Sequence, residues 1–315
     1  MKKRSKISLV ILGITLSILL IIVGGVYWYG NHLFNKIEKV EIDTNDVGIT
    51  EEVEEKLSEY SDSVINIALF GIDAEEGSAG RSDSIIIATI DTTHKKLKLT
   101  SIMRDSYVTI ADRGQDKINH AYAFGGAQLA IKTLNENFDL NIEDFVAVNF
   151  TTMPKIIDKL GGVTIDITSE EVSHIPGIDT AGTYNLTGEQ ALAYSRIRYA
   201  SGGDYVRTDR QRTVLNKVFE KILDTNVTQY PSLLSEVLPM VKTSLDYSEI
   251  LDLGNEVLKM GVTNLEQERF PRDGYCEGKM IGGIYYLTFD KENTVQQLHD
   301  YIFEDIKSWQ YKMNG

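Results

Sequence analysis

The chain has a single cysteine, Cys276, among 315 residues. A lone thiol excludes an intrachain disulfide framework and any cysteine-rich zinc site. Basic charge is also in short supply, with 32 Lys and Arg against 46 Asp and Glu, for a net charge of -14. Four of the basic groups, Lys2, Lys3, Arg4 and Lys6, lie in the first thirty residues, which carry no acidic group, so the remainder holds 28 against 46, a net of -18. A field of that sign repels phosphate backbones and excludes a free-standing nucleic-acid binder. The histidines, His32, His94, His120, His174 and His299, are scattered, with no pair four residues apart for zinc, and there is no phosphate-loop pattern. Gly80-Arg81-Ser82-Asp83-Ser84 falls short of the serine-hydrolase elbow, because the closing glycine is missing and a strand pattern follows it.

A long apolar run is present at the amino terminus. Residues 7–30 hold 24 positions without a charge, enough for a membrane-crossing helix, which needs roughly 20. The basic cluster before this run and Tyr27-Trp28-Tyr29 at its end predict an uncleaved anchor, with residues 1–6 in the cytoplasm and the rest outside. Residues 31–62, with Glu51-Glu52-Val53-Glu54-Glu55, read as an acidic, solvated stalk. From 63 to 315 the pattern reads as one domain. Short β-branched runs predict strands at 65–70, 85–90 and 97–102 in one sheet, followed by a helix at 127–138, a strand at 145–150, a helix at 153–160 and a strand at 163–167. Helices are expected at 204–223, 232–241 and 248–260, a strand pair at 265–270 and 284–289, and a final helix at 291–307. Strands alternating with helices indicate an α/β layered sandwich.

Arginine is scarce, yet five of the eleven, Arg196, Arg198, Arg207, Arg210 and Arg212, fall within seventeen residues of an acidic domain. On the helix at 204–223, Val214, Leu215, Val218, Phe219 and Ile222 form one stripe, and Arg207 and Gln211 fall inside its arc. A buried arginine without a partner is costly, so Arg207 has to meet either acidic side chains or a bound anion. Arg210 and Arg212 flank the stripe and are expected on a solvated face. Asp73 closes the first strand, Arg81 and Asp83 open the second, and Arg104-Asp105 ends the third, so neighbouring strands would bring Asp73, Arg81, Asp83 and Arg104 to one rim. Turn and cap duty is the plain alternative for the two aspartates. Carboxylates for a hard cation and guanidinium forks for phosphate oxygens suit phosphoryl transfer. The residues therefore predict an outward-facing, membrane-held site for a phosphorylated ligand and a divalent metal, with the reaction open.

Several blocks in order resemble the LytR-CpsA-Psr family of cell-envelope glycopolymer ligases, over about residues 65–223. They are Gly80-Arg81-Ser82-Asp83-Ser84 leading into Ile85-Ile86-Ile87-Ala88-Thr89-Ile90-Asp91, then Ser101-Ile102-Met103-Arg104-Asp105, and Asp116-Lys117-Ile118-Asn119-His120-Ala121-Tyr122-Ala123-Phe124-Gly125-Gly126. Leu186-Thr187-Gly188-Glu189-Gln190 through Tyr194-Ser195-Arg196-Ile197-Arg198 follows, and then Arg207-Thr208-Asp209-Arg210-Gln211-Arg212. The resemblance implies an α/β/α sandwich with a central mixed sheet and an apolar tunnel for a prenyl chain. It also implies transfer of a phosphorylated glycan from an undecaprenyl-pyrophosphate carrier to a peptidoglycan hydroxyl, releasing undecaprenyl phosphate, at a Gram-positive cell membrane. Carried over by position, Asp73 and Asp83 resemble the magnesium ligands. Arg81, Arg104, Arg196, Arg198, Arg207 and Gln211 resemble the pyrophosphate contacts, with Asp83, Arg104 and Arg81 closest to the chemistry. The chain departs from the family at Met103, where proline is common, and at Ala74-Glu75-Glu76, where an arginine is common. Water as acceptor would make the same site a pyrophosphatase, and a pocket without metal or turnover a glycan sensor.

Overall fold

The β-branched runs pair side by side, as their period-two pattern requires. The computed structural model describes residues 30, 36–74, 80–198, 203–226, 229–263 and 265–310. In chain order its strands are β1 (Glu38–Lys39), β2 (Val64–Asp73), β3 (Arg81–Asp91), β4 (Lys96–Ile102), β5 (Tyr107–Ile110), β6 (Gly114–Lys117), β7 (Asp144–Asn149), β8 (Val163–Ile167), β9 (Gly182–Leu186), β10 (Val241–Thr243), β11 (Leu265–Phe270), β12 (Cys276–Ile281) and β13 (Ile284–Phe289). The helices are α1 (Glu51–Leu57), α2 (His120–Phe138), α3 (Met153–Lys159), α4 (Gly188–Arg196), α5 (Gly203–Asp224), α6 (Tyr230–Val237), α7 (Tyr247–Met260) and α8 (Lys291–Ile302).

A seven-stranded mixed sheet runs in the order β1-β10-β7-β2-β3-β4-β11. The meander β2-β3-β4 is antiparallel, while β7 joins β2 and β11 joins β4 in parallel. The carboxyl ends of β2, β4, β7 and β11 therefore share one end of the sheet with the start of β3. Strand alternation divides the apolar residues between two faces. Ala68, Phe70, Ile72, Ile85, Ile87, Phe145 and Ala147 join the main core with Ile131 and Leu134 of α2 and Leu298, Tyr301 and Ile302 of α8. Leu69, Ile86, Val146 and Val148 turn to the other face, where Val214 and Leu215 of α5 lie across them. Helices on both faces of a mixed sheet make the α/β/α arrangement.

The structure corrects several expectations. Residues 36–62 are not a solvated stalk: β1 pairs with β10, and Val47, Val53 and Leu57 are buried in the main core, each such side chain contributing about 1.5–3 kcal/mol. The glutamates of α1 cover its outer side, and Thr50 accepts the Val53 N–H as the helix cap. The helix expected at 127–138 is the second part of α2, which breaks at Gly125 and Gly126, the latter with φ +63°. The strands at 265–270 and 284–289 do not pair with each other, because β11 extends the sheet beside β4 while β13 forms a hairpin with β12. Likewise β8 pairs only with β9, outside the central sheet. The helix expected at 232–241 ends at Val237, and Val241 already begins β10. The final helix stops at Ile302.

The two short strands at the edge also fix where the chain enters. β10 runs antiparallel to β7, and β1 runs parallel to β10. Glu38 stands level with Lys242, Ala147 and Phe70, so residues 36–37 lie toward the same sheet end as Asp73. Among the described residues no helix is long and apolar enough to cross a membrane. The span expected at 7–30 lies outside the described residues, apart from Gly30.

Candidate functional site at the carboxyl end of the sheet

The site begins with a pairing irregularity. Gly71 pairs with Ser84 and Ile72 with Ser82, so Asp83 has no opposite residue and forms a bulge, while Asp73 pairs with Arg81. A bulge re-aims the extra side chain. Gly71 is required beside it, because a Cβ there would lie 2.9 Å from both the Phe150 ring and the Ser84 Cβ.

The released Asp83 carboxylate is held from two sides. Arg104 Nη1 donates to Oδ2 at 2.6 Å, and Asn119 Nδ2 donates to Oδ1 at 3.0 Å. Arg198 Nη2 stands 4.0 Å from the same carboxylate. Arg207 is buried, as the stripe on α5 requires, and its Nη2 donates to the Asp83 carbonyl at 3.5 Å. Arg196 Nη2 donates to Asp73 Oδ1 at 3.3 Å and its guanidinium lies 5.2 Å from the Phe150 ring. Arg81 is exposed beside Asp73. Asp73, Arg81, Asp83, Arg104, Arg196, Arg198 and Arg207 thus meet around the ends of β2 and β3. Gln211, one turn beyond Arg207, lines a cavity that adjoins this rim.

That cavity, about 120 Å³, lies between the sheet and α5. Leu69, Ile86, Val146, Val148, Met153 and Leu215 supply apolar walls, and Ser84, Ser195 and Gln211 are polar groups on its lining. An apolar hole beside a cluster of guanidinium groups is suited to an amphiphile with an anionic head.

Two arginines do not behave as the helical stripe suggests. Arg210 and Arg212 are both 5% exposed, not solvated. Arg210 Nε donates to Glu171 Oε1 at 2.7 Å and its Nη1 to the Ile197 carbonyl at 3.3 Å. Burial pushes the Glu171 carboxyl up, but hydrogen bonds from Thr168 and Arg210 outweigh it and hold the group below the usual range. Arg212 bonds Asp209 on its own helix. The physical reason is that α5 is covered on more than one side, by α4 and β8 and also by β4 and β11. These two arginines are structural ion-pair members.

Sequence reasoning assigned no role to Asn119, Lys117 or the pair Asp116 and His120. Lys117 Nζ meets Asp105 at 2.8 Å, and Asp105 also meets Arg104 Nε at 3.5 Å, so a chain of charges backs the rim. His120 Nδ1 lies 2.8 Å from Asp116 Oδ2. Burial raises the Asp116 carboxyl, but the bonds from His120 and the Lys117 N–H prevail and hold it low. Asp116 and His120 are four residues apart, a spacing that signals a contact only if a helix begins between them, as α2 does.

Among the described residues no group of three or more His, Cys, Asp or Glu converges on one metal position. Asp73 and Asp83 are the carboxylates at the rim, the first bonded to Arg196 and the second to Arg104 and Asn119.

The fold and this rim define an α/β/α protein with a guanidinium-rich rim beside an apolar cavity. The profile of the LytR_cpsA_psr family matches residues 31–301, and the chain belongs to that family. It is 34% identical over 285 residues to the polyisoprenyl-teichoic acid–peptidoglycan teichoic acid transferase TagU of Enterococcus faecalis, covering 87% of this chain and 92% of that protein. TagU of Bacillus cereus is 34% identical over 293 residues, with 90% and 92% covered. Among solved structures, TagT bound to LIIa-WTA superimposes with a TM-score of 0.65 at 27% identity, covering 77% of this chain and 91% of that one. The YwtF (TagT) structure with bound octaprenyl pyrophosphate lipid gives a TM-score of 0.61 at 26% identity, with 77% and 90% covered.

Proposed function

We propose that the protein transfers a phosphorylated glycopolymer of the teichoic acid type from an undecaprenyl-pyrophosphate carrier to a hydroxyl of peptidoglycan. The reaction forms a phosphodiester and releases undecaprenyl phosphate. The observation that carries this reading is that the apolar cavity lies next to the rim: its lining includes Ser84, which follows Asp83 in β3, and Gln211, one turn beyond Arg207 on α5. An amphiphile with a pyrophosphate between an apolar chain and a polar glycan matches both parts at once. Relatives named as teichoic acid transferases, and a structural neighbour holding a prenyl pyrophosphate, support the same ligand class.

In this reading the prenyl chain enters the cavity and the pyrophosphate meets Arg81, Arg104, Arg196, Arg198, Arg207 and Gln211. Attack by the acceptor hydroxyl on the glycan-side phosphorus spreads negative charge over its oxygens, and fixed guanidinium groups stabilise that charge without rearranging. Arg104 and Arg207 are the best oriented, because Asp83 already holds both. Asp73 and Asp83 would hold magnesium, which when bound neutralises part of the pyrophosphate charge.

The reading also carries a membrane position. Gly30, where the apolar run ends, lies against Tyr247 at the start of α7. An anchor at 7–30, with the domain outside, would hold the domain at the bilayer surface that carries the lipid donor.

The test is full-length protein in detergent with a synthetic prenyl-pyrophosphate-linked sugar, Mg²⁺ and peptidoglycan oligomers, followed by mass spectrometry. The reading requires linked product and prenyl phosphate in equal amounts. Prenyl phosphate with free sugar phosphate would mean hydrolysis, and intact donor would contradict the assignment.

A further inference from the structure

We infer that His120, oriented by Asp116, is the base that takes the proton from the acceptor hydroxyl. This rests on the transfer reaction proposed above. In-line displacement at phosphorus sets the attacking and leaving oxygens on opposite sides. The leaving group is the prenyl phosphate, whose chain belongs in the cavity on the α5 face of the sheet, against Leu69, Ile86 and Val148. The acceptor therefore comes from the side of the rim nearer α2, the helix that packs over Phe70 and Ile85 on the opposite face. Asn119, which donates to Asp83 Oδ1 at 3.0 Å, is the residue immediately before α2. The rim thus continues directly into the first turn of that helix, and His120 is its first residue.

The surroundings fix the orientation of this ring. Nδ1 faces Asp116 Oδ2 at 2.8 Å, while Asp116 Oδ1 accepts the Lys117 N–H at 2.7 Å and the Tyr286 hydroxyl at 3.4 Å. A carboxylate fixed in this way makes Nδ1 the protonated nitrogen of the neutral ring and leaves the Nε2 lone pair available. Phe124 lies edge-on to the ring at 5.9 Å, Arg113 stacks on Phe124 at 4.9 Å, and the ammonium of Lys117, three residues before His120, is held by Asp105 at 2.8 Å. The His120 side chain is 23% exposed, open to a ligand yet held in one orientation.

The bond changes balance. The acceptor O–H proton passes to Nε2, the acceptor oxygen bonds to the glycan-side phosphorus, and the bond from that phosphorus to the bridging oxygen breaks. The electron pair leaves on the prenyl phosphate, and the imidazolium returns its proton to that group or to water.

The test compares full-length protein with its His120→Gln, His120→Ala and Asp116→Asn variants in the transfer assay, together with binding of a prenyl pyrophosphate. Gln keeps a hydrogen-bond donor toward Asp116 and cannot serve as the base. Both His120 variants should lose about 100-fold or more in kcat with donor affinity retained. The acidic limb of the wild-type pH–rate profile should vanish from their residual activity, and added imidazole should restore part of the His120→Ala rate. Asp116→Asn should lower kcat with donor affinity retained, because the ring loses the carboxylate that orients Nδ1. Wild-type turnover in His120→Gln, an unchanged limb, or loss of donor binding would overturn the proposal. Donor binding without transfer by the unaltered protein would instead remove the parent reaction, and the base with it.

Discussion

Arg104 and Asp83 meet at 2.6 Å although 21 residues separate them, each at a point where a strand leaves its regular pairing. Arg104 follows the end of β4, and Asp83 is the unpaired residue of the bulge in β3. Because Asn119 takes the second carboxylate oxygen, the rim is assembled before any ligand arrives. Such preorganisation lets charge on a reacting phosphoryl group be stabilised without reorganisation during the reaction.

Replacing either member of this pair should separate catalysis from folding. Arg104→Ala and Asp83→Asn are each expected to lower transfer by about 100- to 1000-fold. The loss of stability should stay near about 1.5–3 kcal/mol, since the pair lies at the edge of the fold. Transfer rates beside urea unfolding curves check both numbers, and near-normal rates would remove the rim from the mechanism.

Filling the cavity should affect the lipid tail alone. Leu215→Trp adds bulk among Leu69, Ile86 and Val148 without touching the arginines. The expected outcome is at least about a tenfold loss of affinity for a long-chain prenyl pyrophosphate, roughly 1.4 kcal/mol, with inorganic pyrophosphate bound as before. Titration calorimetry with both ligands checks it.

A second buried pair tests the scaffold. Lys98 and Asp91 are both fully buried, with Nζ 2.8 Å from Asp91 Oδ2 and bonded also to the Tyr301 and Ile302 carbonyls at 2.9 and 3.1 Å. Lys98→Met leaves the Asp91 carboxylate without its ammonium partner and should cost about 3–5 kcal/mol. Combining it with Asp91→Asn should cost less than the sum of the two single changes, as measured by chemical denaturation.

Acidification should weaken the fold through a buried histidine. Burial lowers the affinity of His299 for a proton, only partly offset by its bond to the Phe138 carbonyl at 2.9 Å. The unfolded chain therefore binds this proton more tightly. His299 contributes its stability above about pH 6.5, and that contribution falls as the pH drops from there, by up to about 1.4 kcal/mol per unit. Melting temperatures between pH 8 and pH 5 should show this slope, and His299→Gln should flatten it. The depressed carboxyls of Asp116, Glu171 and Asp305 act only below about pH 4.5.

The sheet was legible where the chain spells it out. The runs around Ile67, Ile87 and Leu99 alternate over enough residues to fix strands and faces, and the charged residues at their ends could be gathered at one rim. β1 and β10, with two and three residues, carry no usable period, so the edge of the sheet was hidden. Val53 and Leu57 are single apolar groups among glutamates, which made a packed segment read as a stalk. A helical stripe locates one buried arc, yet it does not tell how many neighbours cover the helix, and so Arg210 and Arg212 were expected in water. The Asp83 bulge depends on the register between two strands, which neither strand's sequence states alone.

The most direct measurement is the position of the two phosphorus atoms in a crystal structure of the protein with a short-chain prenyl pyrophosphate. The account predicts both atoms within contact of Arg81, Arg104, Arg196, Arg198 and Arg207, with the chain passing Gln211 into the cavity lined by Leu69, Val148 and Leu215. A pyrophosphate bound elsewhere, or a chain outside that cavity, would contradict it.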